Sequence, residues 1–252
     1  MYEKEYRSLM TRLGIVVVTQ FLLFNFLFLL IGIVETIFSQ IIYDSGAYII
    51  FDIIGDLAYL AAFLLPAWLF YIIGKRKVTE RPWLEARLTG EFPLMLLLSL
   101  ALISAAAILN YYIVDVFNYY DYFSAGDSYG TNIDLVLAIL STAVVPAFCE
   151  ELLFRGVVLT NVFPYGKGRA IIISALLFSL MHANGGQLLY AFVAGLVLGY
   201  VYVRTRSLWG CILIHFINNL SSVLQSMLFE RLEYETASLI STIYDITILA
   251  LG

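Results

Sequence analysis

Long apolar runs, each about as long as a bilayer is thick, alternate along this chain with short charged stretches. A helix needs about 20 consecutive apolar residues to cross a hydrocarbon core of about 30 Å. By that rule a first span runs from about Leu13 to Val34 and a second from about Ala47 to Ile73. A third runs from about Phe92 to Val114, after a loop carrying Lys75, Arg76, Lys77, Arg81 and Arg87. The polar, tyrosine-rich segment 115–131 then reads as interfacial. A long fourth helix starts near Asn132, and Pro164, Gly166 and Gly168 mark the turn after it. Ala170–Ala183, Leu188–Val203 and Leu208–Phe229 are the fifth, sixth and seventh spans, and Ala237–Gly252, which carries Asp245, is a short candidate eighth.

Composition agrees with that pattern. Of 252 residues 62% are apolar and 13% charged, and the mean hydropathy is +0.90. The expected class is therefore an all-α, polytopic membrane protein, one membrane domain over residues 1–252. The net charge of −5 says little, because in such proteins the placement of Lys and Arg matters more than the sum. Here the placement is one-sided. With Lys4, Arg7 and Arg12 before the first span, all but one of the 14 basic residues fall at the same side, and Arg231 is the exception. The positive-inside rule then predicts cytosolic termini. The apolar run after the N-terminal basic residues is too long for a signal peptide and reads as a retained helix. Cys149 and Cys211 both sit within apolar segments, which suits packing thiols better than a disulfide.

Against this background Glu150-Glu151-Leu152-Leu153-Phe154-Arg155 stands out. A charged residue at the centre of a spanning helix costs about 2.5–3.5 kcal/mol on insertion scales. On a helix Glu151 and Arg155 are i,i+4, acid first, and can pair. Glu150 points about 100° away. One carboxylate would be held by the arginine and the other left for something else. The bland alternative is a salt-bridged helix end among lipid headgroups.

The two histidines also lie in spans, His182 in the fifth and His215 in the seventh, where His215 and Asn219 share a face. Either alone reads equally well as a helix–helix hydrogen-bonding residue. Depth links them. Glu150 lies about 18 Å above Val162, His182 about 20 Å above Arg169 and Asn219 about 18 Å above Ser207, at 1.5 Å per residue. A buried carboxylate can act as general base and then acid. A histidine beside it can hold a water, while a second histidine and an amide can donate to an oxyanion. Those are parts for amide hydrolysis. There is no Gly-x-Ser-x-Gly elbow and no His-Glu-x-x-His signature. Glu150, His182 and His215 can instead make a zinc site with an open position.

In order, Glu-Glu-x-x-x-Arg, Phe-x-x-x-His and His-x-x-x-Asn on successive membrane segments resemble the CPBP family. These are intramembrane glutamic endopeptidases related to the type II CAAX prenyl endopeptidases and to bacteriocin-processing and immunity proteins (the Abi family). The resemblance covers residues 132–229, which would form the catalytic core. It implies about eight helices around a polar intramembrane cavity. It also implies that Glu150 activates water with His182 assisting, that His215 and Asn219 form the oxyanion site, and that Glu151 with Arg155 orients them. No cofactor is then needed, zinc being the alternative. The expected partners are a peptide or lipidated protein substrate and membrane lipids, with no nucleic acid, in a bacterial plasma membrane.

Two other functions compete: a non-catalytic immunity or peptide-binding protein of the same fold, and a proton-coupled transporter using Glu150 and the histidines as a relay. The second lacks the paired repeats of transporters. Asp52 and Asp56 read as solvated near the outer end of span two, and Asn25, Asn110 and Asp245 as interhelical or interfacial groups. Pro146 should free the carbonyl of Thr142 and kink span four. Ala191, Gly195 and Gly199 make a small-residue stripe for close helix packing. The loop from Val78 to Glu91, with Trp83, Leu84 and Leu88 among charges, would lie on the cytosolic surface.

Overall fold

The computed structural model describes residues 2–73, 90–116 and 131–252, and within them the chain is all helix and turn. The expectations for the basic loop of residues 74–89 and the tyrosine-rich stretch 117–130 lie outside the described residues. Among the described residues eight helices follow one another: α1 (Tyr2–Ser45), α2 (Tyr48–Ile73), α3 (Phe92–Val116), α4 (Asn132–Tyr165), α5 (Lys167–Met181), α6 (Leu188–Thr205), α7 (Leu208–Arg231) and α8 (Tyr234–Leu251). Helix is the expected answer for such runs, because in lipid only intrahelical hydrogen bonds satisfy every backbone group of a spanning segment.

Six of the eight are long and apolar enough to cross a membrane: α1, α2, α3, α4, α6 and α7. The chain is a multi-pass membrane protein. The expected fifth and eighth spans fall outside that set. α5 has 15 residues, a rise of about 22 Å against a hydrocarbon core of about 30 Å. In α8 six Ser, Thr and Asp residues between Thr236 and Thr247 dilute the apolar run. α1 departs the other way, with 44 residues. Its polar N-terminal turns stay helical, carrying acidic residues in the first turn and an Arg7–Glu3 pair at 2.6 Å. Phe38 (φ −111°, ψ 15°) interrupts it near the far end.

Packing concentrates where α4 meets its neighbours. The buried core joins Leu153, Phe154, Val157, Val158 and Val162 of α4 to Phe178 of α5, Leu198 and Tyr202 of α6, and Ile214 of α7. The stripe on α6 does what its residues suggest. A Cβ at Gly195 would lie 2.9 Å from Ala175 Cα, and one at Gly199 would lie 3.1 Å from Ile171 Cγ2. Only glycine lets α5 and α6 run this close. The outer faces are apolar and exposed, as at Leu22, Leu29, Ile37, Leu57 and Leu102, which suits contact with lipid tails.

Candidate active site

α4 supplies the charged centre, and its backbone is not a plain α-helix. Thr131 and Asp134 close a capping box at its start. Two π-helical stretches then follow, Ile139–Val144 and Leu152–Leu159, on either side of the segment that ends in Glu150 and Glu151. Such widened turns cluster at functional sites because they loosen the carbonyl ladder and turn side chains off the regular register. Neighbours occupy the loosened carbonyls. Asn219 Nδ2 donates to Thr142 O at 3.0 Å, Ser174 Oγ to Phe154 O at 2.9 Å and Thr160 Oγ1 to Arg155 O at 2.8 Å. The distortion expected at Pro146 is thus a π-helical stretch ahead of it, with the Thr142 carbonyl taken up by α7.

The two adjacent carboxylates have different company. Glu151 and Arg155 pair as their spacing suggests, Arg155 Nη1 donating to Glu151 Oε1 at 2.7 Å with both side chains 0% exposed. Arg155 Nη2 donates to Gly195 O on α6 at 3.1 Å, and the guanidinium lies 4.7 Å over the Phe178 ring. The same Glu151 oxygen is 3.0 Å from His215 Nδ1. Glu150 is buried too, at 8% exposure. Its Oε1 accepts from the Tyr59 hydroxyl of α2, and its Oε2 lies 3.9 Å from His215 Nε2 with no hydrogen-bond partner among the described residues. Glu150 is therefore not free, as spacing alone suggested, but half engaged.

A cavity of about 60 Å³ opens at Glu150. His182, Tyr190, His215, Asn218 and Asn219 give its lining polar groups, and Ile103, Ala191, Ala194 and Leu198 supply apolar surface. All four residues read from sequence as one layer, Glu150, His182, His215 and Asn219, line this one cavity. His182 turns Nδ1 to Phe178 O at 2.9 Å, which leaves Nε2 for the cavity. Asn218 Nδ2 reaches Tyr190 Oη at 2.6 Å and Asn219 Oδ1 at 3.1 Å. Asn219 is thereby held at both ends of its amide.

Residues 132–221 match the model of the Rce1-like family, the type II CAAX prenyl endopeptidases. Over that region, about a third of its length, the chain is similar to the Rce1-like family. No curated protein and no solved structure matches the chain. The Rce1-like region holds every polar residue lining the cavity and both members of the Glu151–Arg155 pair, whereas Ile103 and Tyr59 come from outside it. The Rce1-like proteins are described as endopeptidases, so the likeness over residues 132–221 is to a family of proteases.

Several participants carried no readable signal in the sequence. Tyr59 is one tyrosine among 18, and nothing in its neighbourhood announces a contact across 91 residues. Asn218 and Tyr190 carry no signal for the same reason. Phe178 is legible in the sequence only as the first position of Phe-x-x-x-His, yet its ring also meets the His215 ring at 5.8 Å and the His182 ring at 5.0 Å.

Proposed function

We propose that this chain is an intramembrane endopeptidase that cleaves a peptide bond in a membrane-associated or lipidated substrate, using water activated by Glu150. One observation carries the reading. Of two adjacent buried carboxylates, Glu151 is tied to Arg155 and His215 and does not line the cavity, while Glu150 lines it with His182, His215 and Asn219 and keeps Oε2 without a hydrogen-bond partner among the described residues.

The chemistry follows from those positions. Glu150 Oε2 takes a proton from a water in the cavity, and His182 Nε2 helps to orient that water. The hydroxide adds to the scissile carbonyl. His215, its Nδ1–H held by Glu151, turns Nε2–H to the developing oxyanion, and the second N–H of Asn219 is available beside it. Glu150 then returns its proton to the leaving amine. Among the described residues no three His, Cys, Asp or Glu side chains are disposed to hold a metal ion, so the zinc alternative finds no ready ligand set.

Cleavage of an internally quenched farnesylated CAAX-type peptide by the full chain in lipid nanodiscs tests the reading directly. Wild type should cleave it, and Asn219→Ala should retain residual turnover after a loss of about 10²–10³-fold, the usual cost of one oxyanion donor. Binding of the peptide without any cleavage would favour the peptide-binding alternative instead.

The orientation belongs to the same proposal: both termini in the cytosol, from the one-sided basic residues. Single cysteines introduced within 74–91 should react with impermeant reagents only from the cytosolic side, and those within 115–131 only from outside. The reverse pattern would invert the topology.

A further inference from the structure

Glu150 touches one described side chain by a hydrogen bond, and that side chain lies outside the region matched to the protease family. We infer that Tyr59 of α2 is a positioning residue for Glu150: its hydroxyl holds Oε1 and so assigns the proton-taking role to Oε2. The inference rests on the reading of Glu150 as the base.

The terminal torsion of a glutamate is broad and roughly two-fold, so its two oxygens exchange unless one is tied. Here the tie is rigid at its other end. The Tyr59 ring stacks on Phe63 at 4.7 Å and 7°, and meets Phe24 of α1 edge-on at 5.5 Å and 87°. Two helices thus fix where the hydroxyl sits before any substrate arrives, which is what a preorganised site needs. Release of Oε1 would have a specific consequence. His215 Nε2 is 3.9 Å from Oε2, and an untied carboxylate can close that gap into a direct ion pair. Base and oxyanion donor would then occupy each other. Tyr59 keeps them apart while both face the cavity.

Tyr59→Phe removes the hydroxyl and keeps the ring stack, so the fold should survive. With the farnesylated probe peptide, kcat should fall about 10–10²-fold, as for a lost hydrogen bond to a charged group, with KM nearly unchanged and the melting temperature retained. A second readout needs no turnover. The carboxyl stretching band that Glu150→Gln removes from the infrared spectrum should shift in Tyr59→Phe. An unmoved band, or a kcat equal to wild type, overturns the inference, as does a melting temperature that falls in step with activity while the band stays. The two readings fail separately. Cleavage that survives Glu150→Gln sinks Glu150 as the base, whereas a dead Glu150→Gln beside a fully active Tyr59→Phe sinks only the role given to Tyr59.

Discussion

Glu150→Gln should abolish peptide cleavage while leaving a folded protein that still binds its substrate. Glutamine keeps the shape and can still accept from Tyr59 through its carbonyl oxygen. What it loses is the ability to take a proton. General base catalysis contributes about 10²–10⁴-fold, so turnover of the probe peptide should fall by at least that range. The comparison needs two measurements on one preparation, cleavage rate and peptide binding. Loss of both together would mean that Glu150 builds the cavity, and unaltered cleavage would remove it from the chemistry. His182→Ala belongs with Glu150→Gln in the same assay, because it is assigned to the same water.

Arg155→Ala should do something different, which is to lose the protein rather than the reaction. The guanidinium is fully buried and bonds Glu151 and the Gly195 carbonyl while lying on Phe178. Its removal strands the Glu151 carboxylate beside Glu150 with only His215 to offset two charges. Breaking one partner of a buried pair costs about 3–5 kcal/mol, enough to deplete a typical membrane protein of its folded form. Thermal denaturation of solubilised protein should show a large drop, with yield falling in parallel. Arg155→Lys should rescue only part, since an ammonium cannot fork to Glu151 and Gly195 as a guanidinium does. Replacing both partners by apolar residues of similar size (Glu151→Leu with Arg155→Met) should cost less than Arg155→Ala alone. If the single variant matches wild type in melting temperature, the pair is not structural.

The sequence was most informative where one residue type has one physical outcome. Runs of apolar residues gave the helices, because a backbone in lipid has few alternatives. Glu151 and Arg155 were legible because four residues on a helix make a contact without reference to the rest of the fold. Pro146 foretold a loosened carbonyl at Thr142, and the small residues on α6 foretold a close approach. The common depth of Glu150, His182, His215 and Asn219 was legible from rise per residue alone, and the cavity that they line agrees with it.

What stayed hidden depends on rotation and crossing of helices, which spacing along one helix does not encode. The Tyr59 contact needs α2 turned towards α4, and the double engagement of His215 needs α7 to pass between two carboxylates that a regular helix splays apart. The π-helical stretches were hidden for a related reason. Pro146 signals that a carbonyl is freed, but whether the backbone kinks or widens is decided by Asn219 and its neighbours. The helices themselves were legible at α5 and α8, but α5 is short and α8 is diluted by polar residues, so six of the helices, and not these two, are long and apolar enough to cross a membrane on their own.

The location of the Glu151–Arg155 bond within a single helix bears on how such a protein can be made. α4 leaves the ribosome before α7, and His215 follows Glu151 by 64 residues. During that interval the nascent segment holds three charged groups without the histidine of α7. Because the arginine and one glutamate already answer each other four residues apart, the segment meets the translocon carrying one unmatched charge instead of three. The penalty for lateral release into lipid falls accordingly. An equivalent pair split between α4 and α7 would give the same finished site and a far worse substrate for insertion.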